Sequence, residues 1–79
     1  MKKEQNNELI FGGHPILEVL KAKRRKIISL YTTKPSPAIF SKILKMLPKR
    51  NINIQYVNRT VLNKLAGTTD HQGIVAWVG

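Results

Sequence analysis

Cysteine is absent from the 79 residues, which excludes a disulfide framework, a thiolate nucleophile and a thiolate metal site. Acidic residues are nearly as scarce. Only Glu4, Glu8, Glu18 and Asp70 occur, so the interval between Glu18 and Asp70 holds no carboxylate while it carries twelve Lys and Arg. Long apolar runs are missing too. The longest, Ile74-Val75-Ala76-Trp77-Val78, falls far short of the roughly 18 residues that suggest a membrane span. Met1-Lys2-Lys3 has the basic character of a signal-peptide start, but Glu4-Gln5-Asn6-Asn7-Glu8 stands where its apolar core belongs. The sequence therefore reads as cytoplasmic, with no membrane partner.

What remains is one small domain with a formal charge of +10. A chain this short buries only about 60% of the surface its unfolded form exposes, which disfavours a deep enclosed active site. The densest charge is Lys21, Lys23, Arg24, Arg25 and Lys26. An acidic partner is expected on electrostatic grounds, nucleic acid first. The plainer reading is a compositional bias toward Lys, with the lysines forming a solvated face and part of the cluster complementing a helix C-terminus. That reading explains the lysines better than the missing acids.

The pattern predicts β-α-β-α-β-α-β, a small mixed α/β sheet with flanking helices. Residues 1–8 read as a flexible tail and 9–79 as the domain. Residues 9–11 form a short strand, Gly12-Gly13 a turn, and Pro15 the first position of a helix to Ala22, with Glu18 favouring its N-terminal dipole. Residues 27–33 are β-branched and end before Pro35, the mark of a second strand. Ser36-Pro37 reads as an N-cap and first-turn proline for a helix with Ile39, Phe40, Ile43, Leu44 and Leu47 on one stripe, Lys42, Lys45 and Lys49 mostly on other faces, and Pro48 as its stop. A third strand over 53–57 leads to Asn58, which caps a helix running to Ala66 and stopped by Gly67. The apolar run 74–78 supplies the fourth strand, buried on both faces.

Two polar turns are the candidate sites. Gly12-Gly13-His14 can aim backbone N–H groups at a phosphate or ribose, and His14 can stack on a base; alternatively His14 only caps the helix and the glycines only allow the turn. Thr68, Thr69, His71 and Gln72 offer donors and acceptors for splayed bases or 2′-hydroxyls, with Gly73 allowing close backbone approach; turn chemistry alone accounts for them equally well. Were the first and last strands antiparallel neighbours, both turns would share one sheet edge. Two histidines without a third ligand do not make a metal site, and no nucleophile accompanies Asp70-His71 to suggest catalysis. The aromatics Phe11, Tyr31, Phe40, Tyr56 and Trp77 could offer stacking platforms for bases, but each sits within an apolar element and reads as a core or strand residue; Trp77 alone suggests packing on a neighbouring domain or subunit.

Residues 10–20 (Ile-Phe-Gly-Gly-His-Pro-Ile-Leu-Glu-Val-Leu), 57–65 (Val-Asn-Arg-Thr-Val-Leu-Asn-Lys-Leu) and 71–76 (His-Gln-Gly-Ile-Val-Ala) together resemble the N-terminal substrate-binding domain of SpoU/TrmH-type RNA 2′-O-ribose methyltransferases, most nearly those acting on a guanosine of large-subunit ribosomal RNA. The resemblance spans residues 9–78. It implies a domain like RNA-binding ribosomal proteins, joined to a knotted methyltransferase domain that binds S-adenosylmethionine, holds the catalytic residues and forms a homodimer. No catalytic residue, cofactor or metal is thereby assigned to this chain. Its expected partners are RNA, ribosomal more than transfer RNA, and the catalytic domain of the same polypeptide. The family pattern points to Gly12, Gly13, His14, His71, Gln72 and Gly73 as RNA contacts, although relatives often carry a larger residue at Gly13. Arg24, Arg25 and Lys26 lie outside that pattern and enter as phosphate contacts on charge alone. The rival readings are a free-standing ribosomal-type RNA-binding protein and a protein-interaction domain with incidental charge.

Overall fold

The computed structural model describes residues 8–23, 25–48 and 52–79. Strands β1 (Glu8–Phe11), β2 (Ile27–Thr32), β3 (Asn53–Tyr56) and β4 (Ile74–Val78) alternate with helices α1 (Gly13–Ala22), α2 (Ile39–Met46) and α3 (Arg59–Ala66). The four strands form one mixed sheet in the order β1-β4-β2-β3. β4 runs antiparallel to both of its neighbours, with Phe11 opposite Val75 and Thr32 opposite Ile74, while β2 and β3 are parallel. Thus β1, β2 and β3 all point one way, and their C-terminal ends share an edge with the start of β4.

The central place of β4 explains its unbroken apolar sequence. Its side chains alternate between the two sheet faces, and Ile74, Val75, Ala76 and Val78 have no exposed surface. One face is covered by Ile16, Leu17 and Leu20 of α1 and Phe40 and Ile43 of α2, packed on Ile27, Leu30, Ile74, Ala76 and Val78. Each large apolar side chain buried there contributes about 1.5–3 kcal/mol. α3 packs on β1 and β4, where Leu62 and Val75 are both fully buried.

Local chemistry sets the helix ends. Asn58 caps α3 by accepting the Val61 N–H at 2.9 Å, and Gly67, at φ +73°, closes it in the left-handed conformation. α2 stops at Met46, and Leu47 turns extended before Pro48. The start of α2 departs from the sequence expectation. Ser36 does not cap it; its hydroxyl donates to the Thr33 carbonyl at 3.1 Å, and the helix opens from a tight turn in which Phe40 N–H meets the Pro37 carbonyl at 2.9 Å. α1 likewise begins earlier than expected, at Gly13. Pro15 is its third residue, still within the first turn where a missing N–H is harmless, and Glu18 lies beyond that turn. β1 opens one residue early at Glu8, which pairs with Arg25 at 2.6 Å.

Candidate functional site

Four loops meet where β1, β2 and β3 end and β4 begins. The Gly12 N–H donates to the Ile74 carbonyl at 3.0 Å, tying the entry of α1 to the start of β4. Gly12 has φ +93°, and a Cβ there would stand 3.6 Å from Gln72 Oε1. The antiparallel pairing of β1 with β4 therefore does bring the two polar turns together.

Beneath the surface the second turn is locked. His71 is fully buried. Its Nδ1 accepts the Gly73 N–H at 2.9 Å and its Nε2 lies 2.6 Å from Asn63 Oδ1 on α3. An amide N–H can only donate, so Nδ1 carries the lone pair and Nε2 the proton, and Nε2–H donates a hydrogen bond to Asn63 Oδ1. Burial pushes the imidazole below its ordinary value of 6.5, the Arg59 guanidinium pushes the same way, and Asp70 opposes both. A second proton on Nδ1 would also face the Gly73 N–H. Thr32 completes the lock, its buried hydroxyl donating to the Gly73 carbonyl at 2.7 Å. Gly73 has φ +82°, where a side chain is strained, although a Cβ there would make only ordinary contact with Pro37 and Thr33 of the β2–α2 loop.

Above the lock sits Gln72, exposed and at φ +56°. A non-glycine residue in that region costs on the order of 1–3 kcal/mol and needs its surroundings to hold it there; the bonds of Gly73 and His71 do so. His14, second residue of α1, is exposed. Gly12 is the N-cap and no side chain caps α1 among the described residues, so the capping role considered for His14 is not what the fold uses. His14 instead borders a shallow recess of about 290 Å³ with Ala38, Ile39 and Lys42. Gly13 is buried, and a Cβ on it would come within 2.5 Å of Ile39.

The basic residues divide differently from their order in sequence. The ten residues of α1 span about 15 Å and carry Lys21 and Lys23 to the opposite end of the sheet, together with Arg25 and Lys26. Arg24 lies outside the described residues, as do Lys49 and residues 1–7. Lys26 is exposed. Arg25 binds within the domain, from Nη1 to Glu8 at 2.6 Å and from Nε to the Gly79 carbonyl at 3.1 Å. The cations of the polar edge are ones the sequence did not single out: Lys42 beside His14, Lys34 with its Nζ 5.4 Å from the Tyr56 ring centroid, and Arg59 at the start of α3. Tyr56, which the sequence reads as a core or strand residue, ends β3 and is 50% exposed. Lys34 and Tyr56 are 22 positions apart, and only the strand register exposes their meeting.

Among the described residues no group of three or more His, Cys, Asp or Glu could hold a metal ion, and no helix is long and apolar enough to cross a membrane. The edge thus offers an exposed imidazole, an exposed carboxamide, an exposed phenol and first-turn backbone N–H groups, with cations around them.

Comparison with known proteins shows the family of the chain. Residues 9–78 match the family described as RNA 2′-O ribose methyltransferase substrate binding. Two curated proteins named 23S rRNA (guanosine-2′-O-)-methyltransferase RlmB are similar: that of Acinetobacter baylyi, 33% identical over 72 residues and 90% of this chain, and that of Blochmanniella floridana, 32% identical over 73 residues and 91% of this chain. The chain spans 29% of the length of each of these relatives.

Proposed function

The chain belongs to the RNA 2′-O-ribose methyltransferase substrate-binding family, and from that premise we propose that it holds a segment of ribosomal RNA for a methyltransferase domain carried in the same polypeptide. Ribosomal rather than transfer RNA is favoured by the names of the two similar proteins. The whole protein would use S-adenosylmethionine, transfer the methyl group in its other domain, dimerise through that domain and work in the cytoplasm. Binding is the part assigned to these residues.

The observation that carries the assignment is the strained, exposed Gln72 held beside Gly12 by a buried lock. Strain of this kind persists only where the surrounding structure over-determines it, and it clusters at ligand-contacting sites. Gln72 and His14 would read an unpaired or distorted RNA segment through hydrogen bonds and stacking. The N–H groups of Gly13 and His14, left without intrahelical partners at the start of α1, would meet a phosphate, with Lys42 supplying charge. His71 and Gly73 act beneath the surface, as positioning residues that hold Gln72. Residues 24–26 would add attraction that is indifferent to sequence, Arg25 less than its charge suggests because Glu8 already pairs with it.

Fluorescence anisotropy with a ribosomal RNA hairpin near physiological ionic strength tests the reading. His14→Ala and Gln72→Ala should each weaken binding about three- to tenfold, the worth of one hydrogen bond, and leave the salt dependence intact. Lys42→Ala should lower the salt slope by about 0.7–0.9. Unchanged affinity in the first two variants would overturn the assignment.

A further inference from the structure

Tyr56 takes no part in the function proposed above, yet half of its surface is exposed at the same edge. It closes β3 opposite Thr32, whose hydroxyl holds the Gly73 carbonyl beneath Gln72, and the next N–H, that of Val57, donates to the Thr32 carbonyl at 2.8 Å. In the strand order β1-β4-β2-β3, β3 stands two places from β4. At about 4.8 Å per place, the end of β3 lies about 10 Å along the edge from the turn that carries Gln72, a span that leaves room for a separate nucleotide. The ring is anchored from within. It meets the buried Phe40 of α2 with centroids 6.3 Å apart and planes at 75°. Over its face stands the Lys34 ammonium, 5.4 Å from the centroid. Lys34 is exposed, in a loop closed by two local bonds, Thr33 Oγ1 to the Pro35 carbonyl at 3.0 Å and the Ser36 hydroxyl to the Thr33 carbonyl at 3.1 Å. The stronger occupant of that face decides what the ring does. An exposed cation over an aromatic ring shifts an equilibrium by about two- to fivefold, whereas a base stacked on such a ring shifts it by about five- to 150-fold. A base therefore displaces the ammonium, which turns to a flanking phosphate.

We propose that Tyr56 is the stacking platform for one unpaired base of the RNA segment held at the polar edge, with Lys34 moving from the ring to the phosphate of that nucleotide. The proposal rests on the RNA reading of this edge and deepens it: the contact extends across all four strands, from His14 beyond β1 to Tyr56 at the end of β3. Charge favours this occupant. Neither the β2–α2 loop nor β3 contains a carboxylate, and Arg59, exposed three residues beyond Tyr56, adds a second cation. Stacking tolerates any base, so Tyr56 contributes affinity and sets the spacing of the strand, while Gln72 and His14 discriminate.

The test uses the chain with a labelled single-stranded RNA tetranucleotide, its abasic counterpart and an acidic peptide, read by fluorescence anisotropy and by the ring proton resonances of Tyr56. The intact strand should shift the ring resonances, and Tyr56→Leu should weaken its binding about tenfold, the gain from stacking less the contact given up by Lys34. Tyr56→Phe keeps the ring and should bind within about twofold of the wild type, and Tyr56→Leu should leave binding of the abasic strand unchanged. Lys34→Ala should lower the salt slope by about 0.7, one single-strand phosphate contact. Both side chains are exposed, and the amide spectrum of each variant confirms its fold. Unshifted ring resonances, an equal loss for intact and abasic strands, a loss in Tyr56→Phe as large as in Tyr56→Leu, or a ring shift caused by the peptide and not by RNA would each overturn the proposal. The Gln72 amide separates this reading from the one it rests on: if stacking alone fails, that amide shifts with RNA while the ring does not, and if recognition at the polar turns fails, the ring shifts while the amide does not.

Discussion

Replacing His71 with leucine isolates the lock beneath Gln72. Leucine fills most of the space, so the loss is chiefly of hydrogen bonds: the buried Gly73 N–H loses its acceptor and Asn63 Oδ1 its donor. A buried group left unsatisfied costs about 1–3 kcal/mol. Asn63 is half-buried and can turn to water, so Gly73 dominates and the total should be about 2–3 kcal/mol. For a domain of this length the whole stability is on the order of 4–12 kcal/mol. With a urea slope near 1 kcal/mol/M, the midpoint should fall by about 2–3 M, and Asn63→Ala, which strips the buried His71 Nε2–H of its acceptor, should move it by about 1–3 M. The pH dependence supplies a second readout. The folded imidazole titrates below its ordinary 6.5, so the unfolded chain binds the proton more readily. The stability His71 confers is complete above pH 6.5 and is lost as pH falls from there through the folded value. The gap between wild type and His71→Leu should therefore narrow as pH is lowered from 7.5 to 5. Equal midpoints, or a gap independent of pH, would refute the reasoning.

The other half of the lock makes a related prediction: Thr32→Val keeps the shape but strips the Gly73 carbonyl of its buried donor, costing about 1–3 kcal/mol in chemical denaturation. At Gly13, alanine would force a Cβ within 2.5 Å of Ile39; Gly13→Ala should destabilise by about 1–3 kcal/mol through overpacking, and Ile39→Ala in the same chain should recover part of the loss.

Much of this fold can be read from local chemistry. Asn58 and Gly67 bracket α3 because a cap and a left-handed stop act within a few residues, and the unbroken apolar stretch of β4 reports a strand covered on both faces. Local rules fail where a group has two uses. Ser36-Pro37 has the signature of a helix start, yet the hydroxyl turns back to Thr33. In the candidate site, the closeness of Gly12 and Gln72 follows from one antiparallel pairing, which the sequence allowed as a condition. The burial of His71 does not: its partner Asn63 is eight residues away on another element, and a histidine in a polar turn looks outward until tertiary structure covers it. The basic cluster misleads for the same reason. Lys21, Lys23, Arg25 and Lys26 are close to residues 12–14 in sequence, but a helix between them carries the charge to the far end of the sheet.

The most direct test of the account is an amide-shift titration of the chain with a ribosomal RNA hairpin and a scrambled control near physiological ionic strength, where nonspecific contacts are partly screened. The account predicts shifts at Gly13, His14 and Gln72 that are larger for the hairpin than for the control. Shifts at those amides that are absent, or equal for both RNAs, would contradict it.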